Sequence, residues 1–340
     1  MSALRDTLLL PLWLGQVLAG TKSFERNPLI RGRWLNEHGL HTARVVLAHR
    51  IAQARRERLA PQVSAEDRAA FARDGFVLKH DFVPPQRFGP LVDEVRRFRT
   101  DARYAVQGDT VTRKYPLDAR ARRELPGLAA VVGSAQWRGL QAYVGATACQ
   151  PALYVQTILA HAVAGPPDPQ TCLHADTFHP TVKSWLFLSD VEGDVPAFVY
   201  VPGSHRLTPE RLAWERRMSL AAPHAADLHT RQGSFRAEPD DLAAMGLPGA
   251  VAFRVKANTL IVADTFGLHG RQPSVRPALR VELWAMGRRR PFWGNRLPAL
   301  NAPLRLGAAS GIYTLHRQAT AFDGPPPDLT SNRLRLESQN

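Results

Sequence analysis

The sequence predicts a mainly β fold with flanking helices (α+β), of the jelly-roll or barrel kind. Three observations predict it. Beyond about Pro151 the chain is a train of short apolar runs: "ALYVQTILAHAV", "VKSWLFLSDV", "AFVYVPG", "GAVAFRVKANTLIVAD" and "RPALRVELWAM". Clusters of Gly, Pro and Asp separate these runs, as turns between antiparallel strands require. Upstream, apolar residues recur mostly at helical spacing, which supplies the flanking helices.

Residues 1–63 form the first unit. The start, "MSALRDTLLLPLWLGQVLAG", carries an apolar run after Arg5 that falls short of the roughly 18 residues needed to cross a bilayer. Asp6 and a weak positive n-region argue against a signal peptide, and Pro11 begins or breaks a helix there. In "TARVVLAHRIAQARRERLA", Val45, Leu47 or Ala48, Ile51 and Ala52 recur at helical spacing, with Arg44, Arg50, Arg55, Arg56 and Arg58 on the polar side. This pattern is a basic amphipathic helix. It can lie in a membrane interface, giving peripheral contact through residues 1–60, or it can pack against the main domain.

Residues 64–296 form the second unit. Ser64 is the N-cap of a helix with Glu66 and Asp67 in its first turn, and Gly75 ends it before the alternating strand "FVLKHDF". "PQRFGPLVDEVRRF" predicts a second short helix. The polar stretch 100–125 reads as loop, "AAVVGSAQWRGLQAYVG" as helix, and the insert 206–245 as helix and loop. Residues 297–340 are a C-terminal extension, partly disordered because "DGPPPDLTSNRLRLESQN" has too little apolar surface to bury.

With 340 residues, 44% of them hydrophobic and 22% charged, a soluble protein with a substantial core is expected. Cys149 and Cys172 make neither a disulfide framework nor a structural zinc site, so a reducing, cytoplasmic setting is expected, or one peripheral at the inner face of the membrane. The formal net charge of +14, mostly arginine, suits nucleic acid, an anionic membrane or acidic small molecules. No helix-turn-helix or RNA-binding signature is present, so no nucleic-acid partner is expected. Oligomeric state is not encoded in any pattern.

The chemistry centres on "LHADTFHP". On an extended segment, side chains two apart leave on the same face, so His174 and Asp176 converge. The apolar run 259–263 ends near His269, which offers a second imidazole at a strand end. Two imidazoles and one carboxylate on one face of a metal leave positions open for co-substrate and O₂, the arrangement of non-haem Fe(II) oxygenases. Arg280 lies eleven residues past His269, across the turn "GRQPSVRP". A hairpin there returns Arg280 beside the His269 strand, where a guanidinium clamps the distal carboxylate of 2-oxoglutarate better than lysine would. Arg276 is a second candidate, less well placed because it precedes Pro277 in the turn.

On "FARDGFVLKHDFVP", "LHADTF", "VKSWLFLSDV", "FVYVPGSHR" and the His269 to Arg280 spacing, residues 65–290 resemble the phytanoyl-CoA dioxygenase-like Fe(II)/2-oxoglutarate oxygenases. The resemblance implies a double-stranded β-helix with Fe(II) held by His174, Asp176 and His269. It also implies Arg280 as the 2-oxoglutarate anchor, Trp185 lining the co-substrate and Gln156 as a polar contact. The Asn-Gly usual before the "PGSH" strand is replaced by Val195-Pro196, a change in the turn expected to leave the metal untouched. Asp176 is kept where family halogenases lose the carboxylate, which favours hydroxylation of an unactivated C–H bond. The basic charge and the leader point to a small or lipid-like, anionic substrate. The alternatives are a non-oxidative cupin-like metalloenzyme and a catalytically silent membrane-associated protein.

Other polar residues have structural readings. His179 and His205 are expected to make bracing hydrogen bonds, Ser204 and His205 lie near the pocket mouth, and Cys172 is a small core residue. Arg113 and Lys114 fall in the loop-like region, either solvated or meeting an anion.

Overall fold

The computed structural model describes residues 2–148, 150–287, 291–292 and 312–324. Its strands are β1 (Phe76–Lys79), β2 (Thr100–Gln107), β3 (Thr110–Pro116), β4 (Ala152–Ala160), β5 (Val182–Phe187), β6 (Phe198–Tyr200), β7 (Val251–Ala252), β8 (Leu260–Asp264), β9 (His269–Arg271), β10 (Ala278–Gly287) and β11 (Ile312–Ala319). An antiparallel sheet has the order β1-β8-β5-β10-β4-β3-β2-β11, and β7-β6-β9 form a smaller facing sheet. The architecture is a jelly roll with helices on one side.

Period-two alternation divides the large sheet into two buried faces. Leu153, Val155, Leu159, Leu186, Leu260, Val262, Val281 and Leu283 pack outward under the helices Pro85–Arg97, Pro126–Gly133 and Ala135–Val144. Trp185, Phe187, Ile261, Ala263 and Trp284 point the other way, into the roll, against Phe198, Tyr200 and Phe253. β10 lies between β4 and β5, with Glu282 opposite both Gln156 and Phe187. Both faces must be apolar, which is why "LRVELW" reads as nearly continuous and why its one acid stands out.

Helix starts follow the cap signals. The Ser64 hydroxyl accepts from the Asp67 N–H at 3.1 Å, and Gly75 ends that helix at φ +88. A Cβ on Gly75 would meet His205 Nδ1 at 2.5 Å and Tyr200 Oη at 2.6 Å, so side chain and backbone both demand glycine. Ser134 divides the expected single helix into two by capping Trp137 N.

The stretch 100–125 is not loop. It holds the hairpin β2–β3, in which buried Ala102 and Tyr104 alternate with Asp101 and Arg103. A high polar count concealed a period-two pattern. Arg113 is fully buried and donates to the carbonyls of Thr320, Asp323 and Gly324, so it is neither solvated nor at the metal. It ties down the end of β11, which adds to the edge at β2. The disorder expected for the tail falls on residues beyond 324, outside the described ones, as do residues 293–311 of the extension's approach.

The leader docks through buried charge. In the helix Leu40–Leu59, His41, Arg44, Val45, Ala48, Ala52 and Arg56 are buried, while Leu47 is exposed. The expected single arginine face is thus split, because two of its arginines find carbonyl and carboxylate partners inside. Arg56 Nη2 donates to Asp264 Oδ2 at 2.8 Å and to Val144 O at 2.7 Å. His41 Nε2 donates to Glu215 at 2.8 Å, and Arg211 pairs with the same acid. This helix packs on the core. The helix Ser2–Ala19 differs: Leu8, Leu10, Leu12, Leu14 and Leu18 are all exposed, Leu8 by 73%. Among the described residues, no helix is long and apolar enough to cross a membrane.

Candidate metal centre

His174 sits in an extended segment that pairs on one side with His269 of β9 and on the other with Arg236. The two histidines exchange backbone hydrogen bonds, His174 N to His269 O at 2.9 Å and His269 N to His174 O at 3.0 Å. Such a pair puts both side chains on one face, and the ring centroids lie 4.5 Å apart. Asp176, two residues on, is fixed by its N–H to Thr265 O at 2.9 Å. Ligand atoms of His174, Asp176 and His269 all fall within 4.8 Å of one another.

The hydrogen bonding prepares both rings for a metal. His174 Nδ1 donates to Cys172 O and His269 Nδ1 to Gly267 O, each at 2.9 Å. The Nε2 lone pairs are therefore turned to the Asp176 carboxylate, whose Oδ1 lies 3.9 and 3.8 Å away. That is too long for a hydrogen bond and leaves room for an ion between them. His269 Nε2 is buried with no hydrogen-bond partner, an orphan that a metal would satisfy. Burial pushes both imidazoles below their ordinary range, His269 to about 4, so both are neutral donors at pH 7. Burial raises the Asp176 carboxyl, but Lys183 first and then the imidazoles hold it well below the usual range. Two neutral imidazoles and one carboxylate fit a divalent transition metal, and each ring has the backbone partner that fixes its tautomer.

Arg280 reaches the interior by a different route from the expected hairpin. β9 belongs to the small sheet and β10 to the large one, so the turn with Pro273 and Pro277 carries the chain across the roll. Arg280 therefore faces the interior from the opposite wall. It is already engaged: Nη1 donates to Pro196 O, and Nε lies 2.9 Å from Glu282 Oε2. The Val195-Pro196 replacement thus touches the arginine, though not the metal ligands. Gln156 Nε2 donates to Glu282 Oε1 at 2.7 Å, so it is bound to the acid beside Arg280. Trp185 faces inward, stacked on Phe198 with centroids 4.1 Å apart. Lys114 Nζ stands over the Trp284 ring at 4.3 Å, inside the roll.

The remaining candidates lie outside the centre. Arg276 is exposed and pairs with Asp194. His179 is buried and donates from Nδ1 to Pro180 O. Ser204 accepts from Leu268 N at 2.8 Å, bracing the approach to His269, and His205 packs on Phe71. Cys172 is exposed rather than in the core; its carbonyl, and not its thiol, serves the site. Sequence reasoning missed Lys183, Glu282, Arg236 and Lys22. For the first two a signal existed, a charge on the inward phase of a buried strand.

The family model described as phytanoyl-CoA dioxygenase (PhyH) matches residues 71–238. The match spans just under half of the chain, and that segment is similar to the phytanoyl-CoA dioxygenase family. The matched segment includes His174 and Asp176 and stops before His269 and Arg280. No curated protein matches the sequence. Among solved structures, HygX from Streptomyces hygroscopicus with nickel and 2-oxoglutarate bound is 16% identical, over 66% of this chain and 86% of that one, with a TM-score of 0.42. The epimerase SnoN, in complex with Fe3+, alpha-ketoglutarate and nogalamycin RO, is 18% identical over 75% and 93%, with a TM-score of 0.41. EctD from S. alaskensis, with 2-oxoglutarate and 5-hydroxyectoine, is 15% identical over 66% and 76%, with a TM-score of 0.40.

Proposed function

We propose that this protein is an Fe(II)- and 2-oxoglutarate-dependent oxygenase that hydroxylates an unactivated C–H bond of a small or lipid-like, anionic substrate. The observation that carries the reading is the convergence of His174 Nε2, His269 Nε2 and the Asp176 carboxylate, with the buried Arg280 on the facing wall. Iron, when bound, supplies the oxidising chemistry that couples decarboxylation of 2-oxoglutarate and reduction of O₂ to insertion of oxygen into the C–H bond.

The chain's own residues bind, orient and exclude. His174, Asp176 and His269 would hold the ion and, as three ligands only, would leave positions on it for co-substrate and O₂. Lys183 Nζ, 2.6 Å from Asp176 Oδ2 and 2.9 Å from Oδ1, fixes the carboxylate's rotation. Arg280 receives the distal carboxylate of 2-oxoglutarate on its Nη side. Trp185, Phe198, Tyr200 and Phe253 line the roll with apolar surface and keep bulk water from the reacting groups. Retention of Asp176 favours hydroxylation over halogenation. Incubation with Fe(II), 2-oxoglutarate and O₂ is expected to give succinate even without substrate, at a slow uncoupled rate. Arg280→Met is expected to raise the 2-oxoglutarate requirement, and turnover that ignores O₂ would favour a cupin-like hydrolytic or isomerising metalloenzyme instead.

Glu282 bears on the affinity for the co-substrate. A buried carboxylate 2.9 Å from Arg280 Nε cancels much of the attraction an incoming dianion would feel. Glu282→Gln keeps the shape and the contact to Gln156 while removing the charge. It is expected to tighten 2-oxoglutarate binding to the Ni(II)-loaded protein by about tenfold or more in calorimetry, since tenfold needs only about 1.4 kcal/mol. Unchanged or weaker binding would contradict that role for Arg280.

The exposed leucines of the helix Ser2–Ala19 favour a peripheral membrane contact at the inner face, with exposed Arg26, Arg31, Arg33 and Trp34 following closely in the chain. The double substitution Leu8→Asp, Leu12→Asp is expected to abolish most sedimentation with anionic vesicles and leave the fold intact. Equal sedimentation of both proteins would exclude this helix as the contact.

A further inference from the structure

The helix Ser2–Ala19 is anchored only near its end. From Thr7 to Thr21 the sequence carries no charged residue, and Leu8, Leu10, Leu12 and Leu14 stand in solvent. Residues two apart on a helix leave nearly opposite sides, so these leucines make the segment apolar all round. Val17, by contrast, packs against the apolar cluster that includes Phe24, Ala175, Phe235 and Leu268. Two members of that cluster adjoin the metal ligands: Ala175 separates His174 from Asp176, and Leu268 precedes His269. The leucine helix is therefore seated on the backbone that carries the metal centre.

The chain leaving the helix runs closer still. Fully buried Asn27 ties it back, donating from Nδ2 to Trp13 O at 3.1 Å and to Gln16 Oε1 at 2.9 Å. Phe24 N donates to Arg231 O at 2.9 Å, and a Cβ on Gly233 would lie 2.3 Å from Lys22 O. Two residues beyond Gly233, Phe235 O accepts from Ala175 N at 3.0 Å, and Arg236 pairs with His174. Lys22 Nζ reaches Asp176 O at 2.6 Å. Asp176 is also the ligand with outward access: 25% of its side chain is exposed, against 4% for each imidazole. The accessible edge of the metal centre thus lies where a strap of residues 21–24 passes, directly after the helix. At about 1.5 Å per residue, Leu12 is about 10 Å along the axis from the helix end at Ala19.

We infer that the leucine helix and the strap 21–24 seat the metal centre against an anionic bilayer, and that the substrate is an amphiphile resident in that membrane. The inference rests on the proposed function, since it names where that reaction's substrate comes from. A helix apolar all round needs an apolar surrounding, and this one is not long and apolar enough to cross a membrane. Entry into one leaflet meets both conditions. Arg26 and Arg31 follow it, exposed and without an ion pair among the described residues, and Trp34 is exposed nearby. Arginines of this kind meet lipid phosphates, and an indole settles at the same level. Direct transfer also spares the apolar part of the substrate a passage through water, whose cost grows with every methylene.

The test uses the full chain loaded with Mn(II) and 2-oxoglutarate, mixed with vesicles of phosphatidylglycerol and phosphatidylcholine. The parent is expected to sediment with them, and its manganese to speed relaxation of the lipid phosphorus, an effect that falls steeply with distance. Zn(II)-loaded protein is the diamagnetic reference. Leu8→Asp, Leu12→Asp is expected to lower both readings by about tenfold or more, the scale of one leucine's burial, while Mn(II) binding by electron paramagnetic resonance stays unchanged. Equal relaxation in parent and variant would mark manganese shed onto the lipid and overturn the inference. Sedimentation of the parent with relaxation no faster than in the zinc reference would also overturn it, because the centre would then lie away from the membrane. Absence of sedimentation, or a dimer in solution that the two substitutions dissolve, would take the leucines away from the bilayer and the inference with them. The oxygenase reading survives each of these outcomes. Failure of Mn(II) to bind at all would remove the metal centre itself.

Discussion

Asp176→Ala is expected to lower divalent-metal affinity by more than about hundredfold. Losing a residue that merely orients a ligand costs about 10–100-fold, and here the ligand itself goes. The electrostatics add to the loss. The carboxylate is what balances Lys183, whose ammonium lies 2.6 Å from Oδ2. Without it, a half-buried, unbalanced cation would face the bound metal. The double variant Asp176→Ala, Lys183→Met is therefore expected to recover part of the lost affinity. Calorimetric titration of Mn(II) or Co(II) into the metal-free protein measures both changes. An affinity within about threefold of the parent in Asp176→Ala would remove this carboxylate from the site.

Arg56→Met is expected to destabilise the protein by about 3–5 kcal/mol, the cost of leaving a buried charge without its partner. Asp264 has no exposed side-chain surface. Burial raises its carboxyl above the ordinary range, and Arg56 is the largest influence opposing that rise. The methionine keeps most of the aliphatic stem but loses the guanidinium, whose Cζ lies 4.6 Å from the Phe71 ring centroid. The effect should reach the metal centre as well. Asp264 also accepts from Thr181 N and Phe266 N at 3.0 Å each, which shapes the turn whose Thr265 carbonyl holds Asp176 N. Urea unfolding followed by circular dichroism tests the prediction, and a change below about 1 kcal/mol would mean the leader does not depend on this pair.

How legible each part was in the sequence depended on how local its physics is. His174 and Asp176 could be placed together because a two-residue spacing on an extended segment has one geometric consequence. His269 and Arg280 could be chosen by residue type, but not positioned. Whether a turn returns a strand to the same sheet or crosses to the facing one depends on long-range packing, and here β9 and β10 part at the turn. The hairpin β2–β3 was hidden because about half its strand residues are polar and its partner β11 lies some two hundred residues on. The leader's arginines read as one polar face, yet Arg44 and Arg56 find partners inside that only the folded chain supplies. Glu282 and Lys183 lay open in "RVELW" and "VKSW" as charges on buried phases. Their meaning came only with the neighbours: Arg280 for one, Asp176 for the other.

The account stands or falls on whether the three ligands hold iron in a form that 2-oxoglutarate can join. Anaerobic addition of Fe(II) and then 2-oxoglutarate to the full-length protein, followed by visible absorption, tests this most directly. A charge-transfer band that grows to saturation near one iron per chain, and is lost in His269→Ala, is the expected result. A protein that binds Fe(II) yet gives no such band, or that gives it undiminished without His269, would contradict the account.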